Sequence, residues 1–365
     1  MAVSARALVL EAPRRLVVRE FPMPVVGDDD AVVKVEACGL CGTDHEEYTG
    51  VLAGGFAFVP GHETVGIIEE IGPQAAQRWG VGAGERVAVE VFQSCRSCAA
   101  CLAGEYRRCE RHGLADMYGF IPVDRKPGVW GGYSEYQYLA PDSMVLPVPS
   151  ALDPVLATLF NPLGAGIRWG ATMPGTGSGD VVAVLGPGIR GLCATAAAKE
   201  AGAGFVMVTG SGARDAERLA LASAFGADLA VDVAADDPVA VLRSATGGLA
   251  DVVVDVTAKA PAAFAQAVGL ARTGGTVVVA GTRGFDTGAP GFVPDLVVMK
   301  ELRILGALGV DAMAYRAALE LLASGRYPFE SLPRRCVGLE DLEDLLATMA
   351  GERDGVPPVH GVFTP

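Results

Sequence analysis

No stretch of this 365-residue sequence approaches the roughly 18 consecutive apolar residues that a membrane-spanning helix needs. Nor does an apolar h-region follow Met1, since Ala2–Arg15 mixes apolar residues with arginines. Basic charge is in deficit: 29 Lys and Arg stand against 43 Asp and Glu, for a formal net charge of −14. Such a chain repels polyanions, which argues against a nucleic-acid surface. Internal repeats are absent, and so are low-complexity tracts beyond alanine-rich helical stretches. The expectation is a cytoplasmic protein whose partner is a small molecule, with no nucleic acid and no membrane. In that compartment the eight cysteines are not expected to form structural disulfides. What is present is globular: half the residues are hydrophobic, 48 glycines are scattered without a period, and the length allows two domains.

Residues 1 to about 36 alternate apolar and polar positions, punctuated at Pro22-Met23-Pro24 and Gly27-Asp28-Asp29-Asp30. With Thr64–Ile71 and Glu85–Val91 this predicts short strands and turns, a β-rich domain over roughly the first 150 residues. Within it lie Cys95, Cys98, Cys101 and Cys109. Four thiols so spaced can wrap one tetrahedral zinc ion with no open position, a structural site holding a loop without a core. A redox Cys-x-x-Cys pair and an iron–sulfur cluster are the competing readings. The first needs two cysteines rather than four, and nothing else in the sequence suggests electron transfer.

A second group of donors runs from Gly39 to Glu63. Cys41, Thr43 and Asp44 are followed about twenty residues later by His62 and Glu63. Thiolate and imidazole are good ligands for zinc, and a catalytic zinc keeps one position open. Asp44 then reads as the carboxylate that orients His62, and Thr43 as a hydroxyl that passes a proton. The plainer reading is a buried Cys and a core His with no ion between them.

From Asp153 to Thr172 the pattern turns helical. The apolar run Val181–Leu185 then ends in Gly186-Pro187-Gly188-Ile189-Arg190-Gly191 and opens the helical Leu192–Ala201. This is G-x-G-x-x-G after a strand and before a helix, where glycines let backbone approach a pyrophosphate. Strands Phe205–Thr209, Leu229–Val233, Ala250–Thr257 and Gly275–Ala280 follow. Helices Asp215–Phe225 and Pro261–Ala271 lie among them, which predicts a parallel sheet covered on both faces. The tip of the second strand, where NAD sites place an acid, reads Thr209-Gly210-Ser211-Gly212-Ala213-Arg214. Without a carboxylate there, Ser211 and Arg214 could bind a 2′-phosphate, which leans toward NADP over NAD, although Asp215 follows at once. Helices over Ala312–Leu322 and Leu339–Ala350 and a strand near Phe363 close the chain. Cys193, Cys38 and Cys336 read as packed thiols, His112 and His360 as surface or loop residues.

Taken in that order, these motifs closely resemble the zinc-dependent medium-chain dehydrogenase/reductase family, the alcohol dehydrogenase relatives, over essentially the whole chain. The resemblance implies an α/β protein. A GroES-like β-rich catalytic domain would occupy residues 1–154, a Rossmann domain 155–300, and 301–365 would return to the first, with a cleft between the two. It matches Cys41 and His62 to catalytic zinc ligands, Glu63 to an acid able to join them, Thr43 to the proton relay and Asp44 to the histidine's partner. Cys95, Cys98, Cys101 and Cys109 match the structural zinc loop. Cofactor-binding positions would be Gly186, Gly188, Ile189, Arg190, Gly191, Ser211, Arg214 and Thr257.

Two positions depart from the family pattern. The third zinc ligand should fall at Asn161, whose neutral amide oxygen is a poor ligand, so Glu63 and water are the alternative shell. The relay histidine expected five residues after Cys41 is replaced by Glu46, with His45 beside it. The implied activity is hydride transfer between a nicotinamide cofactor and an alcohol or carbonyl carbon. The alternatives are an NADPH-dependent reductase of activated C=C or C=N bonds, a polyol or sugar dehydrogenase, and a cofactor-binding regulator on the same scaffold. The resemblance also implies a homo-oligomer, dimer or tetramer. Pocket walls are expected from Tyr48–Phe58 and Asp116–Trp130.

Overall fold

The computed structural model describes residues 4–52, 55, 57–284, 286–354 and 356–365. The chain divides into two compact units: Met1–Phe160 with Leu319–Gly325 and Phe329–Pro365, and Asn161–Ala318 with Arg326–Pro328. Among the described residues no helix is long and apolar enough to cross a membrane.

In the first unit, β1 (Ser4–Ala12) and β2 (Arg15–Pro22) form an antiparallel hairpin. The main sheet is built from β3 (Ala31–Leu40), β4 (Glu63–Ile71), β5 (Arg86–Val89), β6 (Tyr136–Leu139) and β7 (Val145–Pro147). Its order is β14-β15-β3-β4-β5-β7 with β6 also on β3, where β14 is Arg334–Val337 and β15 is His360–Phe363. Alternation along β3 and β4 puts Val33, Val35 and Ile68 in the core and Lys34 and Glu69 outside. The register pairs Gly39 with Glu63, which carries the end of β3 to the start of β4. Directly after β3 the chain turns into the helix Gly42–Thr49, an element that the strand-and-turn reading did not include.

In the second unit, β8 (Val181–Leu185), β9 (Phe205–Gly210), β10 (Leu229–Asp232), β11 (Ala250–Asp255), β12 (Ala271–Val279) and β13 (Arg303–Gly306) form a wholly parallel sheet. Its order is β10-β9-β8-β11-β12-β13, so the winding reverses between β8 and β11. Runs such as Val181-Val182-Ala183-Val184-Leu185 suit strands buried on both faces, and each fully buried Val or Leu contributes about 1.5–3 kcal/mol.

The differences from expectation have local causes. β13 lies beyond residue 300 yet pairs with β12: four residues with an exposed face carry too little pattern to be read as a strand. The boundary between units falls inside the helix Ala312–Ala323. The helical stretch 153–172 breaks into Pro154–Ala157, Phe160–Ile167 and a π-helical turn, Arg168–Thr172. Cys336 is exposed rather than packed, whereas Cys38 and Cys193 are buried. His360 is buried, contrary to the surface reading, and His112 is a half-buried loop residue whose ring nitrogens each lie 2.8 Å from Asp116 and Asp142.

Candidate metal centre and dinucleotide crevice

Cys41 caps the helix Gly42–Thr49, and its backbone N–H donates to Asp44 Oδ2 at 2.8 Å. One carboxylate thus satisfies an orphan donor of the helix start and pins the thiol-bearing residue. Cys41 Sγ lies 3.4 Å from His62 Nε2, and both are buried. Two ligands of a tetrahedral zinc, sulfur at about 2.3 Å and nitrogen at about 2.0 Å, stand about 3.5 Å apart, so this pair fits the edge of such a shell. Glu63 completes a buried trio with its ligand atoms within 4.8 Å of one another. On the far side of the imidazole, Nδ1 faces Asp44 Oδ1 at 3.7 Å. Neither atom has another partner among the described residues, the arrangement that lets a carboxylate fix the ring's tautomer.

Thr43 is half-buried in the first turn of the same helix. Of the two loops expected to wall a pocket, Phe58 and Phe120 stack with centroids 6.2 Å apart, and Phe120 lies 6.2 Å from the His62 ring. Residues 53, 54 and 56 of the first loop lie outside the described residues.

Glu47 was missed. It is buried one turn beyond Asp44, and both its oxygens lack hydrogen-bond partners among the described residues. Burial, and then the Asp44 charge, push its carboxyl well above the usual carboxylate range. Its i, i+3 spacing from Asp44 was the available signal, but only once this stretch is taken as a helix. His45 is turned elsewhere and meets Glu352, which also takes Arg14 in a two-point ion pair.

The four-cysteine loop gathers Cys95, Cys98, Cys101 and Cys109. Cys95 and Cys101 Sγ stand 3.8 Å apart, which is the edge of about 3.8 Å expected for a zinc held by sulfurs at about 2.3 Å. It is also far too long for a disulfide. Donors from Ser97 and Cys98 draw the Cys95 thiol down to about 5, favouring the thiolate a metal needs, while burial lifts Cys101 to about 11.

In the second unit, Gly186-Pro187-Gly188-Ile189-Arg190-Gly191 joins β8 to the helix Ile189–Glu200. A Cβ on Gly191 would fall 1.8 Å from the Gly186 carbonyl oxygen, so the turn tolerates no side chain there. Arg190 lies over the Trp169 ring at 5.3 Å. After β9, Asp215 Oδ2 accepts the Ser211 N–H at 2.9 Å, and its Oδ1 lies 3.9 Å from Arg218 Nη1. The acid following Arg214 is therefore turned back on its own loop. Asn161 is buried, and its amide nitrogen donates to the Tyr315 hydroxyl at 2.9 Å.

Comparison with known proteins agrees with these two units. Residues 27–150 match the alcohol dehydrogenase GroES-like domain and 191–324 the zinc-binding dehydrogenase domain. A Mycobacterium tuberculosis protein described as "Probable alcohol dehydrogenase adh" is 81% identical over 99% of this chain and 98% of its own. A Bacillus subtilis sorbitol dehydrogenase is 30% identical over 93% of this chain and 92% of its own. Among solved structures, a zinc-binding dehydrogenase from Sinorhizobium meliloti 1021 bound to NADP superposes with a TM-score of 0.82 at 28% identity. That match covers all of both chains.

Proposed function

The chain belongs to the zinc-dependent medium-chain dehydrogenase/reductase family, and on that footing we propose that it is an NAD(P)-dependent zinc alcohol dehydrogenase that interconverts an alcohol and a carbonyl compound. The observation that carries this is the 3.4 Å between Cys41 Sγ and His62 Nε2 beside Glu63, a spacing made for a divalent ion with a position left open. When bound, zinc supplies a Lewis acid for the substrate oxygen and the nicotinamide supplies the hydride acceptor or donor.

The chain's own residues do the rest. Cys41, His62 and Glu63 hold the ion, with Glu63 as the third ligand in place of Asn161, whose neutral amide oxygen is a poor one. Asp44 keeps the His62 ring oriented, with Oδ1 facing Nδ1 at 3.7 Å. Thr43 Oγ1 receives the alcohol proton and passes it outward. Phe58 and Phe120 present an apolar face beside His62 that keeps water from the reacting carbon. Gly186, Gly188 and Gly191 leave room for the pyrophosphate at the start of the helix Ile189–Glu200, joined by Ile189, Arg190 and Thr257. Cys95, Cys98, Cys101 and Cys109 hold a second, structural zinc.

NADP is the proposed cofactor. Supporting this, Ser211 and Arg214 follow the tip of β9 in the chain, while Asp215 is occupied by the Ser211 N–H and lies 3.9 Å from Arg218. Arg214→Ala should then weaken NADPH binding about tenfold and leave NADH binding unchanged in titrations of the holoenzyme. A homo-oligomer is proposed through the edge of β13, which among the described residues pairs with β12 alone. Val298, Met299, Ile304, Leu308 and Met313 expose apolar surface on or near that strand. The sorbitol dehydrogenase relative supports a polyol as the second substrate reading.

The deciding experiment is a panel of simple alcohols, polyols, aldehydes and enones run with both nicotinamide cofactors, together with zinc counting per chain. Two zinc ions and alcohol-dependent NADPH formation are expected. A preparation that holds the loop ion alone and still oxidises alcohols would sink the mechanism, and enone reduction surviving removal of the Cys41 ion would favour the C=C reductase.

A further inference from the structure

Asp255 closes β11 and is fully buried. Its Oδ1 accepts the backbone N–H of Thr257 at 3.1 Å and the Thr257 hydroxyl at 2.6 Å. Its Oδ2 accepts from the guanidinium of Arg283, a residue of the irregular segment after β12. The same guanidinium donates to Thr257 Oγ1 at 3.2 Å, from Nε to the Ala260 carbonyl at 3.1 Å, and from Nη1 to the Gly281 carbonyl at 3.0 Å. Such a fan of contacts uses the planar fork of arginine, which an ammonium cannot reproduce.

Backbone closes the same knot. The N–H groups of Ala280 and Gly281 donate to the Asp255 carbonyl at 2.9 and 3.1 Å, and a Cβ on Gly281 would fall 1.8 Å from the Thr257 carbonyl oxygen. A Cβ on Gly186, the first glycine of the turn after β8, would meet the Thr257 methyl at 3.2 Å. Three turns, those after β8, β11 and β12, therefore converge on Thr257. They do so at the carboxyl ends of β8 and β11, where the strand order reverses and ligands of such sheets bind.

A buried ion pair is a poor choice for stability alone, since well-packed apolar side chains tie a loop equally well without desolvating two charges. This segment has such a tie as well, Phe292 edge-on to Phe264 with centroids 4.9 Å apart. What the ion pair adds is direction: it sets where Thr257 stands relative to the glycine turn.

We propose that Arg283 is a positioning residue for the dinucleotide, clamping with Asp255 the turns after β11 and β12 so that Thr257 and Gly186 keep the crevice at the width the cofactor requires. This rests on the reading that a nicotinamide dinucleotide occupies that crevice. The test is NADPH titration of the zinc-loaded full chain, followed by cofactor fluorescence, for the wild type, Arg283→Met and Arg283→Lys, with circular dichroism to confirm folding. Arg283→Met should raise the NADPH Kd about tenfold or more, and added guanidinium ion should recover binding where methylammonium does not. Arg283→Lys should weaken binding as well, because it keeps the charge yet cannot reach both carbonyls.

A folded Arg283→Met that binds NADPH within about twofold of the wild type would overturn the proposal. So would a loss of affinity that guanidinium leaves untouched, since that marks a collapsed loop rather than a missing clamp. If Arg283→Met does not fold, wild-type affinity in Arg283→Lys overturns it equally. A wild type that binds neither NADPH nor NADH would remove the dinucleotide reading itself, an outcome separate from any behaviour of the variants.

Discussion

The two metal-ligand clusters of the first unit are built in opposite ways. Cys95, Cys98, Cys101 and Cys109 come from one loop within fifteen residues, and three of them are partly exposed. Cys41, His62 and Glu63 are all buried and come from segments some twenty residues apart, joined by the pairing of β3 with β4. The loop offers four sulfurs, enough for a full tetrahedron, and on the proposed reading an ion would hold its shape. The buried trio offers three ligand residues and borrows its rigidity from the sheet. If both hold zinc as proposed, the first would draw on the metal's binding energy to fold, and the second would have its geometry prepared for chemistry.

The sharpest way to break this contrast is Cys41→Ser. It should lower kcat/KM for alcohol oxidation about a thousandfold, ~4 kcal/mol, with circular dichroism and the loop ion unchanged. Retained turnover in a metal-counted preparation would end the distinction. Cys109→Ser should do the reverse. The loop ion is lost and the thermal midpoint falls by several degrees, a loss of roughly 3 kcal/mol, while the buried trio still binds zinc. Equal loss of both ions would mean that the two clusters are not independent.

Acid probes the sheet that the buried trio depends on. His360 on β15 accepts from Arg334 Nε at Nδ1 and lies 2.9 Å from Thr158 Oγ1 through Nε2, and burial, with the Arg334 charge, pushes it from 6.5 down to about 3. The unfolded chain therefore binds the proton more tightly, so stability is complete above pH 6.5 and falls as pH drops toward 3. At pH 5 the loss is about 2 kcal/mol. Denaturant melts of His360→Gln should show that slope reduced; an unchanged slope would refute the assignment. The smallest effect is expected of Asp44→Asn, which should weaken zinc at Cys41 and His62 by about tenfold and spare the cysteine loop. Competition with a chelator dye reads both ions.

Local signals were read well from the sequence and non-local ones poorly. Val181–Leu185 and the glycine turn after it were legible because an apolar run bounded by glycines needs no partner to be recognised. The cysteine loop was legible for the same reason. β13 and β14 were not, since each has four residues and at most one buried position. His360 reads as a surface residue because nothing near it in sequence announces Arg334 and Thr158, 26 and 202 positions away. Glu47 and the Arg283–Asp255 clamp were invisible for the same reason: a charged side chain in isolation looks solvated until the fold buries it.

The amino-acid sequence by itself determined the ligand inventory, the glycine turn and the alternation that makes a parallel sheet, because each depends on residues close together along the chain. Only the tertiary structure decided that Cys41 meets His62 through its Nε2, that Asp44 serves both the helix start and the imidazole, and that Arg283 reaches back to Asp255. Those meetings depend on strand register and loop closure over tens of residues, where a shift of one position would send the same side chains to the opposite face.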